Sequence, residues 1–210
     1  MGNMLRALWT LFKFAVLIVV VVAVALGVYL WRSGDPEYSA YALAFHNRFH
    51  RYDGVIQEVA RKRNVDPLLL KAMVWRESRF RPDKLGLDGE RGLMQITDGA
   101  AAEWVKGEKI ANFVPTDLFD PKVNLEAGSW LIARALKRYE GRDDPLPFAL
   151  AEYNAGRSRV VKWSGERDGN DDGKQANSQE LIAKINIPST KRYIETIQDR
   201  VRYYRQHGPF

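Results

Sequence analysis

Phe14 through Trp31 is an unbroken run of 18 residues without a charge, FAVLIVVVVAVALGVYLW, and few folds can absorb it. Extended back past Lys13 to Ala7 it reaches 25 residues. As a helix at about 1.5 Å per residue that is roughly 37 Å, against a hydrocarbon core about 30 Å thick. The run is too long for an ordinary core helix and long enough to cross a bilayer with some tilt. Lys13 can snorkel to the head groups, and Trp9, Tyr29 and Trp31 fall where interfacial aromatics belong. Arg6 and Lys13, with no acid before Asp35, predict that the N-terminal end stays in the cytoplasm. A cleaved signal peptide is the rival reading, because Ala23-Val24-Ala25 resembles a small-residue cleavage site. Yet the apolar run continues for six residues beyond Ala25, whereas cleavage sites follow the apolar core. The expectation is an uncleaved transmembrane anchor over residues 1–31. It would cross the cytoplasmic (inner) membrane once and leave the remainder on the periplasmic side.

That remainder is of a size for one modest domain. The chain holds no cysteine, which excludes disulfide scaffolds, thiolate metal sites and cysteine nucleophiles. From Arg32 onward 30 basic residues face 26 acidic ones, a mild excess that suits an acidic polymer or a membrane surface. No basic stripe with interleaved aromatics is present, so nucleic acid is not an expected partner.

Residues 32–54 read as a connector, broken at Ser33-Gly34-Asp35-Pro36 and then helical. His46 and His50 share a helical spacing, but Asn47 rules out an HExxH arrangement and no third ligand is suggested, so two surface histidines are expected rather than a metal site. Residues 55–210 read as one all-α domain. Val55, Ile56, Val59 and Ala60 keep helical spacing. Asp66-Pro67 supplies an N-cap and a first-turn proline for a second helix. Further helices are predicted over Leu125–Tyr139, Pro147–Tyr153 and Ile187–Tyr204, with a polar, glycine-rich surface loop over Ser164–Ser178.

Three segments carry candidate chemistry. In PLLLKAMVWRESRF, Leu70, Met73 and Val74 lie seven, four and three residues before Glu77 and so share its helical face. A carboxylate projecting from an apolar stripe loses solvation and holds its proton more tightly, as a general acid at neutral pH requires. A Glu at a helix end paired with Arg76, Arg79 or Arg81 is the structural alternative. Gly86 to Gln95 (GLDGERGLMQ) is a glycine-rich turn whose Gln95 can both donate to and accept from a sugar's acetamido or hydroxyl group. In Tyr153-Asn154-Ala155-Gly156, the Tyr153 phenol could reach a buried carboxylate, and Gly156 suits a helix C-terminus.

Taken in order and spacing, four blocks resemble the catalytic domain of soluble lytic transglycosylases. They are Glu77-Ser78-x-Phe80-x-Pro82; Gly89-x-x-Gly92-Leu93-Met94-Gln95; Leu118-Phe119-Asp120-Pro121 with Asn124 and Ala127-Gly128; and Tyr153-Asn154-Ala155-Gly156. The resemblance covers roughly Val55 to Tyr204. It implies a lysozyme-like helical fold around a glycan cleft, with peptidoglycan strands as substrate and neither metal nor cofactor. Glu77 then takes the place of the family's single catalytic acid/base, and Ser78, Met94, Gln95, Tyr153 and Asn154 fall at substrate-binding positions, with Tyr153 helping to position Glu77. Three departures lie close together: Gly86 where the family often has Ser, and Lys84 and Glu90 where it often has Ala. A fourth puts Ser189 where a Glu is usual.

The chemistry so implied is cleavage between muramic and glucosamine sugars without water, closing a 1,6-anhydro ring. A hydrolytic muramidase using Glu90, Asp88 or Glu152 as second carboxylate is the alternative within enzymes. A membrane-tethered glycan-binding or scaffold protein in envelope machinery is the alternative outside them.

Overall fold

The computed structural model describes residues 2–32, 36–165 and 176–208, in two compact units, Met1–Phe49 and His50–Phe210. In the first, helix α1 runs over Gly2–Arg32. Its segment Arg6–Tyr29 has a mean hydropathy of 2.9 and is covered by no protein, so it is long and apolar enough to cross a membrane. Two short helices, α2 (Pro36–Ala44) and α3 (His46–His50), occupy much of the stretch read as a connector.

The second unit is helical, with two isolated bridges, Leu85 to Arg91 and Arg91 to Ile96, in place of any strand among the described residues. Helix α4 (Asp53–Arg63) packs on α5 (Pro67–Ser78) and on α7 (Pro121–Arg138). Helix α8 (Pro145–Ala155) lies against α7 and against α11 (Pro188–His207), which also packs along α5. Helices α6 (Asp98–Glu108), α9 (Arg157–Ser164) and α10 (Ser178–Lys184) fill the periphery. Most of the predicted Ser164–Ser178 loop lies outside the described residues.

Helix starts follow side-chain chemistry. Asp66 accepts from Leu68 N–H at 2.8 Å, with Pro67 following as the first helical residue. The α7 helix begins four residues before the predicted Leu125, because Asp120 caps it by accepting from Lys122 and Val123 N–H at 2.8 and 3.0 Å. Pro121 therefore opens a helix rather than sitting in a loop.

Helix α5 corrects the reading of an apolar stripe. Leu69, Leu70, Lys71, Ala72, Met73, Val74, Trp75 and Ser78 are all buried, so the helix is surrounded rather than one-faced. Its buried ammonium, Lys71 Nζ, reaches Asp53 Oδ1 at 2.7 Å, and Asp53 Oδ2 lies 2.9 Å from His50 Nδ1. Burial lowers the Lys71 pKa while Asp53 opposes the shift. The Trp75 ring is covered by the Arg79 and Arg200 guanidiniums, 3.6 and 4.1 Å from its centroid, which ties the end of α5 to α11.

Candidate active site

The α5 helix ends abruptly. Arg79 and Phe80 both take left-handed φ, 53° and 59°, and the Arg79 N–H closes on Trp75 O at 3.1 Å. Two consecutive non-glycine residues in that region cost energy, offset here by the complete burial of Phe80. The reversal leaves Glu77 half-buried on the last turn.

The Tyr193 phenol, from the second turn of α11, donates to Glu77 Oε1 at 2.6 Å. Burial pushes the Glu77 carboxyl from its ordinary 4.5 up to about 7. The Tyr193 hydrogen bond, Arg76 and Lys84 pull it back down, and Glu90 pushes it further up. Burial and the charge on Glu77 raise both Tyr193 and Tyr153 well above the usual phenol value, so both hydroxyls stay protonated donors. Lys84 Nζ donates to the Glu77 backbone carbonyl, and burial lowers its pKa against the attraction of Glu77.

A buried side chain of α7 helps to hold the 81–97 segment. Asn124, fully buried on α7, accepts from Met94 N–H at 2.7 Å and donates to Arg91 O and Leu118 O at 2.8 and 2.9 Å. Gly92, at φ 76°, has no room for a Cβ against the Asn124 amide and Leu118 O. Gly128 likewise yields its space to the Met94 side chain.

Against this geometry the expected site residues divide. Glu77 is where the sequence puts it, at the helix end and near Tyr153. Tyr153 does not bond to it: a phenol has one proton to give, and that proton goes to Met94 O at 2.9 Å. The hydrogen bond expected of Tyr153 is made by Tyr193, in the same C-terminal segment as the Ser189 departure. Its signal was a tyrosine one helical turn past Ser189.

Ser78 is buried and turns its hydroxyl back to Val74 O at 3.2 Å, and the Met94 side chain is fully buried, so neither side chain presents itself to a ligand. Gln95, at φ 48°, spends its amide N–H groups on Gly92 O and Lys84 O at 3.0 and 3.1 Å, which makes it a brace of the loop with only its oxygen left to accept. Asn154 is exposed, and its oxygen accepts from Thr190 at 2.8 Å. Glu152 is taken by Tyr139, at 2.7 Å, and by Arg138. A cavity of about 710 Å³ opens beside Gln95 and Tyr153, walled also by Thr97, Arg134, Arg138 and Glu152. Glu77 is not on its wall; Tyr153, which feels the Glu77 charge, is the link between the two.

Residues 54–176 match the family model of the transglycosylase SLT domain. The chain is 27% identical over 177 residues to the soluble lytic murein transglycosylase of Salmonella typhimurium, covering 84% of this chain and 25% of that protein. It is 32% identical over 123 residues to the membrane-bound lytic murein transglycosylase F of Desulfosudis oleivorans, covering 55% of this chain and 25% of the relative. Among solved structures, the 70-kDa soluble lytic transglycosylase of Escherichia coli superposes with a TM-score of 0.61 at 26% identity, over 82% of this chain and 26% of that one. The chain thus spans about a quarter of the length of these relatives.

Proposed function

Since this chain belongs to the transglycosylase SLT domain family, we propose that it cleaves the bond between muramic and glucosamine sugars of peptidoglycan, with Glu77 as its single acid/base. The observation that carries the reading is a half-buried carboxyl at a helix end, fixed by Tyr193 at 2.6 Å, where burial pushes its pKa up to about 7. Such a group is protonated in a large fraction at neutral pH and ready to donate.

In the first step Glu77 gives its proton to the glycosidic oxygen as the bond breaks, and the N-acetyl group of the muramic sugar supports the electron-poor anomeric carbon. The carboxylate left behind keeps the Tyr193 hydrogen bond, which stabilises the charged form. In the second step Glu77 takes the proton of the muramic C6 hydroxyl, whose oxygen attacks the anomeric carbon and closes the 1,6-anhydro ring. Glu77 ends as it began. Low hydration around it disfavours attack by water, and the intramolecular hydroxyl needs no recruitment.

The exposed apolar span of α1, together with a membrane-bound relative, supports anchoring. On this reading α1 is a single-pass anchor in the cytoplasmic membrane, and the unit beyond residue 49 works on the periplasmic side. Alkaline washing of membranes should leave the protein in the pellet, with a mature N-terminus ahead of α1. A soluble protein starting at Leu26 would contradict the anchor.

Turnover of purified peptidoglycan separates an enzyme from a binding protein. The purified protein should release soluble fragments continuously. Binding without release would leave a glycan-binding scaffold as the better reading.

A further inference from the structure

The stretch just beyond α1 presents aromatic side chains to its surroundings. Tyr41 and Phe45 are both exposed, and their rings stack with centroids 5.9 Å apart. The Arg48 guanidinium lies over the Phe45 ring, 4.5 Å from its centroid. The chain stays helical where α2 passes into α3. Phe45 N–H donates to Tyr41 O at 2.8 Å, and the N–H groups of Arg48 and Phe49 donate to Phe45 O at 2.8 and 3.3 Å. Residues three and four apart therefore share a face, which gives one stripe of two aromatics ending in a cation. Leu43 follows Tyr41 by two residues and so lies about 200° round the helix, away from that stripe.

Three observations say what covers the stripe. The first is reach: α2 begins four residues after α1 ends, at most about 14 Å of extended chain, and it packs against α1. The second is continuity. Tyr29 and Trp31, at the end of the apolar span, are exposed aromatics as well, so the stripe extends a belt that already stands at the membrane boundary. The third is charge: residues 38–52 carry Arg48 and Arg51 and no acid, which suits lipid phosphates.

We propose that the Tyr41–Phe45–Arg48 stripe lies on the phospholipid surface at the end of α1, with both rings among the head groups and the guanidinium on lipid phosphate. Aromatic rings are favoured at that depth because one medium takes the apolar face and the other the polar edge. The proposal rests on the reading of α1 as an uncleaved anchor, and adds to it a second element that holds the chain to the bilayer.

The chain has no cysteine of its own, so a single introduced cysteine can carry a nitroxide label at a chosen depth. The test uses the full chain in vesicles of phosphatidylethanolamine and phosphatidylglycerol, labelled in turn as Val20→Cys, Tyr41→Cys, Leu43→Cys and Phe45→Cys. Collision with dissolved oxygen, which concentrates in lipid, is compared with collision with a water-soluble nickel chelate. The oxygen-to-nickel ratio should be highest at position 20, and several-fold higher at positions 41 and 45 than at position 43. Adding Arg48→Glu should lower the ratio at position 41 by about twofold or more. A label at position 20 in water would overturn the anchor on which the proposal stands. A label at position 20 in lipid, with positions 41 and 45 as open to nickel as position 43, would overturn the proposal and leave the anchor intact. Spectral broadening at position 45 that disappears on dilution with unlabelled protein would put a second copy of the chain on the stripe in place of lipid, and would overturn it as well.

Discussion

Glu77→Gln is expected to abolish turnover, by about 10⁴-fold or more, while making the folded protein more stable at alkaline pH. A single positioned acid or base is worth about 10²–10⁴, and on the proposed mechanism one group serves both steps. Glutamine is nearly isosteric and its oxygen can still accept from Tyr193, so the site keeps its shape and loses only the proton it trades. The stability gain follows from the same burial that readies the acid. The folded carboxyl titrates near 7 against an ordinary 4.5. Folding therefore takes up a proton between these two values, and its stability falls as pH rises through that window. The full cost, on the order of 3 kcal/mol, is present above pH 7 and absent below pH 4.5. Thermal unfolding should find the variant more stable than wild type at pH 8 and indistinguishable at pH 4. Retained turnover would refute the catalytic role, and equal stability at both pH values would refute the desolvated environment.

Asn124→Ala is expected to destabilise the second unit more than any other single polar truncation near the site. Its amide satisfies Met94 N–H, Arg91 O and Leu118 O at once, with no exposure to water. Truncation leaves Met94 N–H and Leu118 O unpaired, each costing about 1–3 kcal/mol, and takes from Arg91 O one of its two donors, the other being Ile96 N–H at 3.0 Å. Partial relaxation brings the sum to about 3–5 kcal/mol, or roughly 10 °C in Tm for a domain of this size. Asn124→Asp should also be poor, because a carboxylate can accept from Met94 but cannot donate to the two carbonyls. Denaturant unfolding measures both. A loss under about 1 kcal/mol would mean that water replaces the amide and that the loop is held elsewhere.

Asn124 also illustrates which features can be read from the chain. Within the LFDP block it stood out only by resemblance. Its physical role depends on a loop some thirty residues earlier in sequence, which local pattern cannot see. The start of α5 was legible because Asp66-Pro67 is local chemistry, and Glu77 was legible because its burial follows from apolar neighbours on its own helix. Periodicity suggested one apolar face, whereas α5 is enclosed on nearly every side by α4 and α11. The partner of Glu77 was missed for a related reason: Tyr193 is 116 residues away, and choosing between it and Tyr153 requires knowing which phenol has a nearer acceptor. Ser78 and Met94 belong to the motif because they build the turn and the core beneath it, and motif membership alone does not separate such roles from contact with substrate.

The central claim is that one carboxyl performs the whole reaction and water takes no part. Digestion of peptidoglycan in water enriched in heavy oxygen, followed by mass analysis of the released fragments, tests it most directly. The new muramic ends should carry no heavy oxygen, weigh one water less than hydrolysis products, and resist borohydride reduction because the anhydro ring leaves no reducing terminus. Fragments with chiefly reducible, heavy-oxygen ends would contradict the account. The enzyme would then be a muramidase with a second carboxylate to find, to be sought at Glu90, Asp88 and Glu152.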